Sequence, residues 1–177
     1  PGVRAAVRRS LAAAPLVAPS DGSHLGAHAA RPRVRLLLAW LHACLNERCR
    51  FAPAGFSKAY DFGDADERAA LRLADTWLNR AAAQGAESVP WDALRGVLLS
   101  AAYGGRVDIP SDLAELEGVV ASLFTATADV GGDVDAFQVC PNLPPLPSGA
   151  DPEALSRWAD ALPEESSAAA GEPPTWV

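Results

Sequence analysis

The chain has 177 residues, a net charge of −7 and a hydrophobic fraction of 49%, of which alanine supplies 37 residues. One domain, with or without tails, fits this length, and a single core could bury about 70% of the unfolded surface. Leu, Ile, Val and Phe total only 40 residues, so the core must be thin. One Ile, two Tyr and four Thr leave little strand-forming material and exclude an all-β fold. No charge-free apolar run is long enough to be a transmembrane helix, so no membrane partner is expected.

The sequence starts at Pro1 and contains no methionine, which reads as a processed product or a piece of a longer chain. Residues 1–20 carry Arg4, Arg8 and Arg9 before an Ala/Leu/Val run, loosely like a targeting peptide. Pro15 and Pro19 break that run and argue against it. Cys44, Cys49 and Cys140 form no C-x-x-C pair, so they read as reduced, mostly buried thiols. Residues 1–58 hold nine basic and two acidic side chains, against six and twenty in 59–177. A basic arm can bind nucleic acid. Here Arg4, Arg8, Arg9, Arg31, Arg33 and Arg35 lie in Ala/Pro-rich sequence without interleaved aromatics. Fourteen Arg against one Lys suggests a compositional bias instead. Nucleic acid is not expected as a partner.

Residues 1–32 read as an irregular arm and linker, in which 4–11 could form a short helix. The first strong element spans 33–50. Val34, Leu37, Leu38, Leu41 and Leu45 make one helical stripe, widened by Trp40. Arg48 and Arg50 sit at its C-terminus, where the helix dipole favours cations. His42 reads as a packed or surface histidine. Residues 51–63 are a loop whose Phe51, Phe56, Tyr60 and Phe62 need burial. Asp64 is the expected N-cap of a helix to about Ala83, with Leu71, Ala74, Trp77, Leu78 and Ala81 inward and Gly85 as its stop. Pro90 opens a third helix whose Trp91, Leu94, Leu98 and Ala101 face inward. Tyr103-Gly104-Gly105-Arg106 ends it, the two glycines permitting left-handed backbone. A fourth helix covers 111–124, begun by Ser111 or Asp112, with Leu113, Leu116, Val120 and Phe124 inward. Residues 137–140 could form a short strand. Asp151 caps a last helix carrying Leu155, Trp158, Ala159 and Leu162. The organisation expected is a mainly α four-helix cluster at 33–125 between an arm at 1–32 and a loop-rich, loosely attached segment at 126–177.

Chemical motifs are missing. There is no Gly-x-x-x-x-Gly-Lys-Ser/Thr loop, and Lys58 is the only lysine. No Gly-x-Ser-x-Gly elbow occurs. His24 and His28 have metal-like spacing, but Gly22 and Gly26 weaken a helix there and no acid lies between them. No catalytic, cofactor-binding or metal-binding residue is assigned.

Several ordered segments nevertheless resemble one family, the dynein heavy chains, over their C-terminal motor region. In LLLAWLHACLNERCRFAPAGFSKAYDF the matching residues are His42, Ala43, Glu47, Arg48, Arg50, Pro53, Gly55, Tyr60 and Phe62. VPWDALR (89–95) and YGGRVD (103–108) follow in the family's order and spacing. Pro1-Gly2-Val3 and the ending LPEESSAAAGEPPTWV resemble further family stretches. The FSKAYDF and ADTWL wording is closer to cytoplasmic than to axonemal dyneins. Phe56 stands where the family usually has Trp. After Asp108 the family's arginine is missing, which puts its ion pair in doubt.

The resemblance implies a helical bundle, the lid (small) subdomain of the sixth AAA+ module in a ring of six. Residues 1–32 would finish the preceding large subdomain and linker, and 126–177 would start the C-terminal region. The parent chain would be an ATP-driven, minus-end-directed microtubule motor, cytoplasmic and cytoskeletal. ATP and Mg²⁺ would serve other modules and none this segment, whose own enzymatic status stays open. Implied partners are neighbouring modules of the same chain and, through the parent, intermediate chains, light chains and microtubules. The lid would pass on conformational change. Trp40, Arg48, Arg50, Trp91, Tyr103, Gly104, Gly105 and Arg106 are the structural or inter-module candidates, with Trp40, Trp77 and Trp91 as core anchors. The alternative is a free-standing helical adaptor with a basic N-terminal arm.

Overall fold

The computed structural model describes residues 2–13, 28–128, 137–147 and 151–163. Its α-helices are α1 (Val3–Ala13), α2 (Arg31–Arg50), α3 (Asp64–Ala83), α4 (Trp91–Val97), α5 (Pro110–Leu123) and α6 (Pro152–Asp160). Short 3-10 turns cover Gly104–Arg106 and Ala126–Ala128. Among the described residues there is no strand. The strand expected at 137–140 is a turn instead: the Leu143 N–H donates to Cys140 O at 3.1 Å and the Leu146 N–H to Phe137 O at 2.7 Å. Pro141, Pro144, Pro145 and Pro147 explain this, since each removes a ladder donor.

The axis of the fold is α2, which packs against α1, α3, α5 and α6. Its leucines at 36, 37, 38, 41 and 45 are all essentially unexposed, and Trp40 is 2% exposed. Burial runs around nearly its whole circumference, so the single stripe read from the sequence was too narrow. A helix apolar all round must lie at the centre of its domain. The charges on its first turns also turn inward. Arg35 pairs with Asp75 of α3 at 2.6 Å, Arg31 reaches the same carboxylate at 3.8 Å, and Arg31 also donates to Asn79. Arg33 is 3% exposed. Arg31, Arg33 and Arg35 are therefore packed within the fold rather than held out as a basic surface.

The short helix allowed over 4–11 is present and longer, so the arm is not irregular there. Residues 3–13 form an 11-residue helix. Val3 and Val7, four apart on one face, are fully buried and part of the common core. The linker expected over 15–30 lies mostly outside the described residues.

Gly63, not Asp64, caps α3, and the acid three residues on is Asp66, whose carboxylate accepts the Gly63 N–H at 2.9 Å. At the other end, Ala86 N–H donates to Ala81 O (2.9 Å) and Gly85 N–H to Ala82 O (3.0 Å), with Gly85 at φ 70°. That pairing is a Schellman cap, and it requires the left-handed residue that Gly85 supplies. Leu71 and Trp77 are only partly buried, so the inner face of α3 is Ala70, Ala74, Leu78 and Ala81.

After α4 the chain widens into a π turn over Leu98–Ala102, closed by the Tyr103 N–H on Leu98 O at 2.9 Å. The extra residue advances the phase by one. Ala102 is therefore buried and Ala101 exposed, the reverse of the sequence expectation. On α5, Leu116, Val120 and Leu123 are buried and Leu113 only partly so, while Phe124 just beyond is fully buried. Ile109 precedes its first turn, so the helix starts before Ser111 and Asp112.

Asp151 caps α6, accepting the N–H groups of Glu153 and Ala154. Leu155, Trp158, Ala159 and Leu162 are all buried. Trp158 meets Trp40 edge to face at 6.1 Å and donates its Nε1–H to Pro144 O at 2.7 Å. That contact ties the last described segment to the axis rather than leaving it loose.

Candidate functional site: an aromatic brace and a polar cleft

Residues 51–63 cross from the end of α2 to the start of α3 and are pinned at several points. Phe56 is fully buried, Tyr60 and Phe62 nearly so, while Phe51 stays half-buried. Ring centroids run Phe56–Tyr60 at 5.5 Å, Tyr60–Phe62 at 6.0 Å and Phe62–Tyr103 at 5.8 Å. An aromatic chain thus links the loop to the π turn.

Two ionic groups anchor that loop. The Arg48 guanidinium lies 5.2 Å from the centre of the Phe56 ring and donates to Gly55 O and to Glu115 of α5, both at 3.1 Å. Asp112 sits in the first turn of α5, where the helix dipole favours an anion. It accepts the Ser57 N–H (3.1 Å), the Ser57 hydroxyl (2.7 Å) and the Tyr60 hydroxyl (2.7 Å). Burial opposes its charge, but the hydrogen bonds from Ser57 and Tyr60 outweigh it and hold the carboxyl below its ordinary value. The Tyr60 phenol is pushed up to about 12, by burial first and then by donating to Asp112. Nearby, Lys58 pairs with Asp108 at 2.7 Å, and that contact keeps the Asp108 carboxyl low despite a small opposing burial effect.

The candidates read from the sequence divide as follows. Trp40 is a core anchor. Trp77 and Trp91 are only partly buried at the core margin, and Arg80 covers the Trp77 ring at 5.5 Å. Arg48 and Arg50 find acids within the chain: Glu115 for Arg48, and both oxygens of Glu47 for Arg50 at 2.7 and 2.9 Å. Arg106 pairs with Asp66 at 2.6 Å, joining the end of the π turn to the start of α3. Tyr103 is fully buried, and its hydroxyl lies 3.3 Å from His42 Nδ1. Gly104 and Gly105 are not left-handed; among the described residues Gly85 alone has positive φ. Gly104 is needed for a different reason, because a Cβ there would overlap the Leu99 carbonyl across the wide turn.

A cleft of about 310 Å³ opens between α1, α2 and α3. Arg9 and Ser10, His42, Asn46 and Glu47, and Asp64, Glu67 and Arg68 bring polar groups to it from the three helices, and Phe62 forms an apolar wall. His42 is 7% exposed, bonded between Tyr103 and Asn46 Nδ2 at 3.2 Å. Burial lowers its pKa most. Glu67, Asp64 and Asp66 pull it back up, and Arg9 adds to the lowering. The sequence reading took the acids that follow Asp64 only as a capping pattern and not as groups around His42. Asp112 was visible only as a helix start. Nothing in its spacing pointed to a loop 55 residues earlier. No group of His, Cys, Asp and Glu suited to a metal ion occurs among the described residues.

The polar groups at the brace are each other's partners, and the arrangement builds stiffness between α2, the loop and α5. The helical bundle is consistent with an AAA lid subdomain, and the family comparison shows that this is what it is. The model of the dynein heavy chain AAA lid domain matches residues 32–173. A cytoplasmic dynein heavy chain of Dictyostelium discoideum is 35% identical over 154 residues, which is 84% of this chain and 3% of that protein. One of Caenorhabditis elegans is 44% identical over 101 residues, covering 54% of this chain and 2% of its own length. Human cytoplasmic dynein 2 heavy chain 1 is 36% identical over 90 residues, covering 51% and 2%. The chain belongs to the dynein heavy chain AAA lid family, and it spans only a few per cent of the relatives it matches.

Proposed function

We propose that this chain is the non-catalytic lid of the sixth module in a dynein heavy chain ring, and that it transmits conformational change between neighbouring modules. The parent is then an ATP-driven, minus-end-directed microtubule motor of the cytoplasm and cytoskeleton. Its intermediate chains, light chains and microtubules engage other regions, and ATP with Mg²⁺ is bound by other modules. The brace at residues 51–63 carries this reading. A segment that relays rotation must move as one body, and Arg48, Asp112 and the aromatic chain make the loop, α2 and α5 one body. The inward-turned Arg31 and Arg35 weigh against a basic adaptor arm.

The test is an Arg48→Ala/Asp112→Ala double variant in the complete heavy chain, assayed for microtubule gliding velocity and ATP turnover together. Velocity should fall several-fold more than turnover, because hydrolysis continues while its coupling to movement is lost. Unchanged velocity, with proteolysis showing the loop released, would refute the relay.

A further inference from the structure

The two ring nitrogens of His42 make bonds whose directions the geometry fixes. The Asn46 side-chain Nδ2 donates to the His42 carbonyl oxygen at 3.0 Å. A carbonyl oxygen only accepts, so the amide nitrogen, not the amide oxygen, faces His42. The same Nδ2 lies 3.2 Å from His42 Nε2, which must therefore be the accepting, unprotonated nitrogen. The ring proton then sits on Nδ1 and donates to the Tyr103 hydroxyl oxygen at 3.3 Å. His42 is nearly buried and Tyr103 fully so, which leaves water little part in either bond.

A second proton can enter the ring only at Nε2, where it would confront the Asn46 amide, donor against donor. Charged and titratable groups surround the ring from every element packed on it. α1 brings Arg9, and α2 itself brings Glu47 and Arg50, paired with each other. α3 brings Asp64, Asp66, Glu67 and Arg68, and the end of the π turn brings Tyr103, with Arg106 beyond it bound to Asp66. Of the acids Glu67 acts most strongly on the ring, and its Oε1 is buried without a donor among the described residues.

We propose that His42 is a proton-operated latch between α2 and the π turn. It is closed while the neutral ring carries its proton on Nδ1. It opens when a proton at Nε2 expels the Asn46 amide and turns the ring toward Glu67 and away from Tyr103. The joint between the axis and the buried tyrosine then loosens on acidification, with no ligand involved. Burial holds the opening below the ordinary 6.5, and Glu67, Asp64 and Asp66 keep it from sinking further. The latch stands on contacts within the chain and does not depend on the relay proposed above.

The test is long-range proton–nitrogen NMR of the 177-residue chain, with the His42 ring signals assigned by their loss in His42→Gln. The neutral ring should show the proton on Nδ1, and a neutral ring protonated on Nε2 overturns the latch. On acidification the Asn46 side-chain amide and the Tyr103 signals should move with the His42 midpoint, which lies below 6.5. Tyr103 signals that ignore that midpoint overturn the opening step. Signals that move together throughout the chain report acid unfolding and overturn it too. Asn46→Ala should raise the midpoint by about half a unit to one unit, the loss of one hydrogen bond that favours the neutral ring. An unmoved midpoint overturns the donor clash. Glu67→Gln should lower the midpoint, and no change there overturns the turn toward that acid. Should either variant fail to fold, the tautomer and the joint titration of the wild-type chain still decide.

Discussion

Gly104 and Gly105 are adjacent, yet they differ in what a single methyl would do. A Cβ on Gly104 would meet the backbone of Leu99, which cannot rotate away. Gly104→Ala should cost more than about 2 kcal/mol in urea unfolding. A Cβ on Gly105 would lie 3.7 Å from Ser100 O, an ordinary contact, so Gly105→Ala should stay within about 0.5 kcal/mol. Equal losses would refute this account of the wide turn. His42 gives a pH signature. Burial depresses its folded pKa below the ordinary 6.5, so the unfolded chain takes up a proton that the native one resists. Stability is then full above that value and falls as the solution is acidified through it. Comparing urea midpoints at about pH 7.5 and about pH 5.5 should show a decline that His42→Gln reduces.

Single elements show how local rules and tertiary contacts share control. Gly85 was legible because a glycine after an apolar-periodic run is a helix stop, and it takes φ 70° in a Schellman cap. Gly85→Ala should cost about 1 kcal/mol, the strain of holding a Cβ in left-handed backbone. An unchanged thermal midpoint would contradict the cap. The axis α2 was legible from its leucines, but its full burial was not, since alanine and arginine on its other faces do not announce neighbours. Over 3–13 a short helix was legible but its burial was not, for the same reason. Two valines and three arginines define a weak stripe, and only the packing of Val3 and Val7 into the common core makes it a docked helix. The π turn was invisible, because no residue pattern at 98–102 signals one extra residue in a helical turn. Its effect shows only as the exchange of Ala101 for Ala102 at the core.

At the level of the whole molecule, long-range polar contacts decide which helices move together. Asp112 joins loop and α5 across 55 positions, and Arg48 joins α2 and α5 across 67. Such pairs follow from the fold and cannot be read from spacing, although the resemblance to dynein heavy chains had marked Arg48 and Tyr60. Asp112→Asn should lower the melting temperature more than Asp108→Asn, because Asp112 is buried and takes three hydrogen bonds from the loop, while Asp108 is exposed and its main partner is the exposed Lys58. The depressed Asp112 carboxyl sets a second acid limit. Its contribution is complete above the ordinary 3.8 and is lost as pH falls through its lower folded value. Wild type should therefore show a further acid drop below about pH 4 that the Asn variant lacks. The thin apolar inventory is offset by these ties and by Trp40. Trp40→Ala, which also removes the Trp158 contact, should cost about 3–5 kcal/mol.

The wide turn at Leu98–Ala102 also determines which changes of length this segment can survive. Its five residues carry Tyr103 to the His42 ring and Arg106 to Asp66. Removing one residue there would restore ordinary helical spacing and swing every later side chain by about 100° about the axis. The tyrosine would leave His42 and the arginine would leave its carboxylate together. Changes of residue can be absorbed at the exposed Ser100 and Ala101, but a change of length cannot, so the distance from Trp91 to Tyr103 acts as a fixed gauge for the packing of this chain.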